Sequence, residues 1–584
     1  MAAEVTKYSA YDPRVIQSKP KYAVEKGALS ITNVTFNAQT ANQTSQQFNV
    51  IVPSENVFID RAVDWVSGGV LRIPVTLVAA AAGAVLMSAG EVALAAFPSH
   101  QCVAQMTATI NDATVTVNTQ DVLNQVLRLQ DLAAHRKQRT CPTMLDRYAL
   151  EQGVGYGSST GVFQNSPLGG YSYAFETDAV PNGAFGEWYF CNSDGSVSAG
   201  TNVNAEGLPI AVGAGLSQDV FVRWHTNEKL LLPPFIFGDA FELSTGLFGV
   251  QNFQVQMNMT PTPSRAIRIA QQYIGRAVGT TTVASISAPQ WATGLGAFSP
   301  YPIQPALAVQ FLTPALDVPL PPKSVVPYME FPRYITTGLA AIPSTLGQPP
   351  ANARGIVSGA TTIQSNTITL PNIPDLLMVY LKPAIADVAL FSAAPYVAGP
   401  TTWNSTIADF TLPIQSISVN FDNFAGLLAN HTQAQLYKMS VANGLDMDWS
   451  SWSGEGRNSP SASGTPRVSL VGGPLILRPG RDFALQAGQA PGLVGNFTLQ
   501  FSLTVGNQFA SQIASGGVNM YVVPISSGFF ETIKGSSRII KGVLTEQDIL
   551  GAPAQAPVHD HPLSESVNRR VGAGKKGRMG AYMS

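Results

Sequence analysis

Charge is what this chain lacks most. Asp, Glu, Lys and Arg make up 12% of its 584 residues, about half the ~25% usual in soluble domains. A surface this poor in charge stays soluble through Ser, Thr, Asn and Gln, or is buried against other subunits. The second fits a large assembly. Cysteine is scarce too. Cys102, Cys141 and Cys191 stand far apart without a CxxC spacing, which excludes a disulfide framework and a zinc site. Long apolar runs are nearly absent. Ile73 to Gly90, IPVTLVAAAAGAVLMSAG, carries no charge, but it is rich in Ala and Gly, contains Pro74 and is barely long enough to cross a bilayer. It reads as a strand from Leu71 to Val78 followed by a small-residue loop or helix. The start, MAAEVTKYSAYDPRVIQ, has no basic stretch followed by an apolar core, so no signal peptide is expected and synthesis in a reducing, intracellular place is. The Asn-x-Thr/Ser triplets at Asn33, Asn42, Asn258, Asn404, Asn430 and Asn496 are then strand and turn composition.

The motifs of catalysis are missing as well. There is no GxSxG elbow, and GAGKKG at Gly572 lacks the first glycine and the Ser/Thr of a phosphate-binding loop. GVGYGSSTG (Gly153 to Gly161) is not flanked by a strand and a helix and reads as a loop. His559, His561 and Glu565, with Gly572 after them, match the HxHx3Ex6G core of a cupin metal motif. Two imidazoles and a carboxylate bind a metal when neighbouring strands project them together. Here they follow GAPAQAP, a segment that does not hold residues on a sheet, and no later histidine completes the set. His100, His135, His225 and His431 pair with nothing at ligand spacing and read as turn or core residues. Asp446, Asp448, Trp449 and Trp452 offer a sugar-stacking platform or a carboxylate pair, against a packing and turn role, which is favoured. No catalytic, cofactor or metal residue is expected.

What is present is strand and turn. Hydrophobic residues are 45% of the chain, and 52 Gly and 41 Pro punctuate the apolar runs, the pattern of many short strands. One unit of this pattern occurs twice. In the second half Ile417, Val419 and Phe421 alternate with Ser416, Ser418 and Asn420, a half-buried strand. Asp422-Asn423 turns the chain, and Thr432 with Gln435 makes a capping box. Leu436 and Met439 give the helix its apolar stripe, and Asn443-Gly444 stops it. In the first half Met106, Ala108 and Ile110 alternate, Asn111-Asp112 turns, and Val115 and Val117 return. Thr119 then opens a helix carrying Val122, Leu123, Val126 and Leu127. A second pair follows each: Leu230 to Leu243 resembles Leu475 to Leu485, and the strand from Asn252 (NFQVQMNM) matches that from Asn496 (NFTLQFSL). The first copy has more chain between Asp112 and Asp239 than the second between Asp422 and Asp482, and the Gly- and Ser-rich region 153–220 reads as that insertion, in long loops. Two copies of about 240 residues each fit an all-β chain of two tandem eight-stranded jelly-roll β-sandwiches with short inserted helices and long loops. The expected layout is an N-terminal arm (1–27), a first jelly roll (28–275), a linker (276–300), a second jelly roll (301–535) and a C-terminal arm (536–584).

On these residues the chain resembles the double jelly-roll major capsid proteins, the lineage of adenovirus hexon and tectivirus capsids, with the nearest likeness to polinton-like viruses, virophages and adintoviruses. The likeness is carried by QQFNVIVPSENVFIDRAV (Gln46 to Val63), the two strand–turn–helix segments, ITLPNIPDLLMVYLKP (Ile368 to Pro383) and GLLANHTQAQLYKMSVANGLDMDWSSWSG. GGPLILRPGRDFAL, MYVVPISSGFFETIKGSS and LTEQDILG complete it. The resemblance implies a homotrimer of six sandwiches, a pseudo-hexagonal capsomer that tiles the icosahedral shell of a double-stranded DNA virus. It implies neighbouring capsomers, penton and minor capsid proteins as partners, residence in the virion, no cofactor, no membrane span and no catalysis. The rival reading is a tandem β-sandwich carbohydrate-binding, lectin-like protein, and a third is a minor capsid or vertex protein.

The C-terminal end differs from the rest. All 36 acidic residues precede Asn568, whereas Arg569, Arg570, Lys575, Lys576 and Arg578 follow it. This Gly-rich, flexible tail reads as a non-specific contact to genome phosphates, as an arm gripping a neighbouring capsomer or minor capsid protein, or as a solvated end.

Overall fold

Alternating apolar residues and left-handed turn residues build two sandwiches along the chain. The computed structural model describes residues 28–542 with interruptions, the longest at 133–185 and 384–410. The first sandwich contains β1 (Ala28–Asn37), β2 (Ser45–Val50), β3 (Asp64–Ala79), β4 (Val103–Ile110), β5 (Ala113–Val117), helix α1 (Thr119–Val126), β6 (Gly186–Cys191), β7 (Ser217–Lys229), β8 (Phe253–Met259) and β9 (Ala306–Pro314). Leaving aside short edge strands, one sheet runs β1-β9-β3-β7-β6 and the other β2-β8-β4-β5.

The second sandwich contains β10 (Ser324–Glu330), β11 (Ile368–Asn372), β12 (Leu376–Pro383), β13 (Ile414–Phe421), β14 (Phe424–Leu427), helices α2 (Gln433–Ala442) and α3 (Trp449–Ser453), β15 (Leu475–Leu477), β16 (Val494–Val505), β17 (Val518–Ile533) and β18 (Ser536–Lys541). Its sheets run β10-β17-β12-β15 and β11-β16-β13-β14. Setting aside β6 and β18, both units have the same order: first, eighth, third, sixth in one sheet; second, seventh, fourth, fifth in the other. This is the jelly-roll order, two Greek keys folded across two sheets.

The repeated turn has a physical cause. Asn111 (φ 56°) and Asp422 (φ 49°) both take the left-handed conformation that Asn and Asp tolerate best among residues with a side chain. In each turn that residue's side chain is tied to the neighbouring strand. Gln251 N donates to Asn111 Oδ1 at 2.8 Å, and Thr498 N to Asp422 Oδ1 at 2.8 Å. The cores are aromatic and dry. In the first, Trp65, Trp188 and Trp224 are almost wholly buried. Trp224 fits because Gly69 faces it: a Cβ there would lie 2.3 Å from the indole.

Three expectations are corrected. The first sandwich does not end at residue 275. Thr281–Ile286 and Gln290–Trp291 pair with β3, and β9 pairs with β1 along its whole length, so the unit runs on to Pro314 and the expected linker lies in its sheet. The region 153–220 is not all loop. The aromatic run GEWYFC forms β6 against β7, and β7 begins at Ser217; residues 153–185 lie outside the described ones. The match of Asn252 with Asn496 is two residues out of register. Phe253 pairs with Ile110, whereas Leu499 pairs with Phe421, so Leu499 is the counterpart of Phe253. A slip of two keeps every side chain on its own face, which is why the sequence pattern hid it. The uncharged run from Ile73 lies in β3 as far as Ala79 and then turns at Gly83 (φ 78°). Among the described residues no helix is long and apolar enough to cross a membrane.

Candidate functional site

The main functional surface is a seam where the helix corner of the first sandwich meets the outer sheet face of the second. At the start of α1 the Asp121 carbonyl accepts from Tyr380 Oη at 2.7 Å and Lys382 Nζ at 3.3 Å, and its carboxylate pairs with Arg333. Beyond the helix, Arg128 Nη1 donates to Gln125 Oε1 at 2.7 Å and across the seam to the Gly472 carbonyl at 3.0 Å. Leu129 then bridges antiparallel to Leu445, with Gln130 N donating to the Gly444 carbonyl and Asp446 N to the Arg128 carbonyl. The turn before α1 joins in. Asn111 Nδ2 donates to Ser537 Oγ at 2.9 Å, while Asp112 accepts from the Ser536 hydroxyl and the Ser537 amide. These two bonds, the amide first, hold the Asp112 carboxyl below the usual carboxylate range. A third patch is mostly backbone: Thr532 Oγ1 donates to the Phe248 carbonyl at 2.6 Å and Gly535 N to the Gly249 carbonyl at 2.7 Å. A Cβ on Gly249 would stand 2.9 Å from Lys534 N. Charge-assisted and backbone bonds of this kind fix orientation. They carry no chemistry.

The one dense cluster of titratable groups away from the seam is sealed. His100 and Glu228 are fully buried, with Nδ1 and Oε2 2.5 Å apart. Glu228 also accepts from Ser99 N, His100 N and Thr226 Oγ1. Leu231 N donates to His100 Nε2, which leaves Nδ1 as the ring's donor. The network ties the end of β7 to the helical turn Pro98–Gln101 and opens to no cleft. The histidine was legible as a turn or core residue; its carboxylate partner was not. The available signal was Thr226 and Glu228 on the same strand phase as Trp224. A Glu on an apolar phase needs a buried partner. Burial raises the thiol of Cys102, with the Glu228 charge adding to it, and pushes that of Cys191 up to about 12, so neither is a nucleophile.

The sequence-derived candidates divide. Arg569, Arg570, Lys575, Lys576 and Arg578 lie outside the described residues, as do His559, His561, Glu565, His135 and the Gly153–Gly161 loop. Among the described residues no group of His, Cys, Asp and Glu is placed to hold a metal. Asp448 caps α3 by accepting from Ser451 N, and Trp452 is buried with its Nε1 donating to the Pro474 carbonyl at 2.8 Å. The platform is therefore packing and cap, as favoured, with Trp449 alone left 41% exposed. His225 is half-buried on β7, and His431 Nδ1 lies 3.3 Å from the Leu428 carbonyl.

Comparison with known proteins agrees with this architecture. Residues 3–312 match the first domain of the Sputnik virophage major capsid protein, and residues 342–528 match the C-terminal domain of the major capsid protein V20. The V20 capsid protein of Sputnik virophage is 24% identical over 554 residues, which is 93% of this chain and 80% of that protein. The capsid chain in the Sputnik virophage cryo-EM structure superposes with a TM-score of 0.66 at 22% identity, over 93% of this chain and 94% of that one. The mavirus major capsid protein superposes at 0.59 and 13% identity, over 90% and 93%. At such identities the structures speak for the fold, a double jelly roll. The family match spans more than half of the sequence, and on it the chain belongs to the Sputnik virophage major capsid protein family, structural components of the virion rather than enzymes.

Proposed function

We propose that this major capsid protein assembles as a homotrimer, a pseudo-hexagonal capsomer of six sandwiches that tiles an icosahedral shell around double-stranded DNA. The observation that carries it is the seam: two sandwiches of one topology stand against each other through unlike faces. A head-to-tail contact repeats until it closes, and a closed ring satisfies its own contacts. An obligate interface of this kind buries about 2,000 Å² or more. Penton and minor capsid proteins are the expected further partners. The basic tail from Arg569 to Arg578 is proposed as the arm that meets them, or that meets phosphate on the inner side.

The test is the mass of the purified protein in solution, with negative-stain images of the same sample. A particle near three times 61.7 kDa with a hexagonal outline is expected. A monomer that persists at high concentration overturns the reading.

A further inference from the structure

Because the seam joins unlike surfaces, each chain uses one helix corner and one sheet face internally and leaves one of each over. Strand register identifies the leftovers. Asp121 and Gln435 are the third residues of α1 and α2. Leu475 pairs with Val379, and Leu230 N donates to the Val63 carbonyl. This puts Asp64 and Val66 of the first sandwich where Tyr380 and Lys382 stand in the second. Tyr380 pairs with Tyr521 and Asp64 with Ala308; one step further on, Tyr334 pairs with Val522 and Val34 with Val309. Asn33 therefore takes the place of Arg333.

The counterparts are bare wherever the seam residues are covered. Tyr380 and Lys382 are buried, whereas Asp64 and Asn33 are exposed and Val66 is half-buried. Leu127, which ends α1 inside the seam, is fully buried; its counterpart Val441 is 43% exposed. Strand β5 alternates between buried and exposed residues, while β14 buries none. Apolar side chains sit on both leftovers: Phe424, Val441 and Trp449 on the corner, and Ile31, 61% exposed, beside Asn33 on the sheet.

We infer that the two leftover surfaces bind each other between copies of this chain. The corner of one copy, formed by β14, α2 and α3, docks on the outer face of β1 and β3 of the next, with Gln435 over Asp64 as Asp121 lies over Tyr380. This rests on the capsomer reading and adds which surfaces close the ring. The contact is heterologous, so a single rotation generates the whole ring.

Two variants test it on the full-length protein. Val441→Glu places a charge at a site exposed in the single chain, where folding is expected to be indifferent; an unfolding curve checks that. The expected result is a folded chain that needs at least tenfold more protein to reach the wild-type mass. Gln435→Cys combined with Asp64→Cys, treated with a short bismaleimide, is expected to give a ladder ending at three chains, with neither single variant doing so. A single-cysteine variant that links to itself in pairs signifies a two-fold contact and overturns the inference. Unchanged assembly of Val441→Glu without a ladder also overturns it and leaves the capsomer intact, whereas a monomeric wild type sinks the capsomer reading itself. Unchanged assembly of Val441→Glu with loss of the trimer on removal of residues 1–27 assigns the contact to the N-terminal arm, again overturning it.

Discussion

Helices α1 and α2 occupy the same place in two copies of one fold and are held in opposite ways. In α2 only Leu436 and Ser440 are buried, and the helix depends on its ends. Thr432 N donates to Gln435 Oε1 at 2.8 Å while Gln435 N donates to Thr432 Oγ1, and Gly444 (φ 97°) stops the chain. In α1 six of eight residues are buried, and Asn118 makes no side-chain bond to the helix start. A short helix is marginal by itself. Tertiary burial replaces the cap in the first copy, and the cap replaces burial in the second. The sequence expectation of a capped helix in both copies is thus met only once, because packing removed the need for the other cap.

The same contrast runs through the strand ends beside the helices. The first sandwich anchors β7 with the buried Glu228 carboxylate, which takes four donors. The second uses neutral groups: Ile476 N donates to Ser440 Oγ, and Asn443 Nδ2 to the Ile476 carbonyl. Glu228→Ala strands several buried donors and is expected to cost about 3–5 kcal/mol. Ser440→Ala loses one neutral acceptor and should cost about 1 kcal/mol. Urea unfolding of the two variants measures the gap, and equal costs would break the comparison.

The next effect belongs to the seam. Arg128 and Ala442 are the tenth residues counted from the starts of α1 and α2. Arg128 is fully buried and bonds across the seam to Gly472, while Ala442 faces solvent. Arg128→Ala is expected to destabilise the chain by about 2–3 kcal/mol, whereas Ala442→Arg should stay within about 0.5 kcal/mol in the unassembled chain. Thermal unfolding at low protein concentration separates the two.

How far the sequence carried depended on whether a feature was local. The two jelly rolls were legible because Met106–Ile110 and Ser416–Phe421 repeat one strand–turn–helix signal, and Thr432 with Gln435 specifies its cap within four residues. Strand β9 was not legible as part of the first sandwich. Its partner β1 lies at the other end of that unit, and an antiparallel pairing over such a distance leaves no short-range mark. Strand β6 was lost in the average composition of 153–220, although GEWYFC has the aromatic density of a strand. The seam was invisible for a different reason. Asp121, Arg128 and Tyr380 look like ordinary helix and strand residues until tertiary packing brings them together.

At the helix starts the expected effects are smaller. Thr432→Ala removes a working cap and should cost about 1 kcal/mol, while Asn118→Ala, with no cap bond to lose, should cost no more than about 0.3 kcal/mol. Circular dichroism during denaturant titration reads both. The reverse order would show that α1 depends on its start after all.

The subtlest contrast lies in the turns, where Asn111-Asp112 and Asp422-Asn423 carry the same two residue types in opposite order. Asp422 spends its carboxylate inside its own sandwich, on Thr498 N and Gln489 Nε2. Asp112, one place later, reaches across the seam to the Ser537 amide and the Ser536 hydroxyl. Those bonds lower the Asp112 pKa in the folded chain below the unfolded value of about 3.9. Because the folded value is the lower one, the contribution is complete above the unfolded pKa and is lost as pH falls through the folded one. Wild type should therefore melt above Asp112→Asn at pH 6, and the two curves should converge as the pH is taken below about 4. Asp422→Asn, which leaves the seam untouched, is the control for acid effects elsewhere. A gap between wild type and Asp112→Asn that widens in acid would mean that the carboxylate is not what holds this corner of the seam.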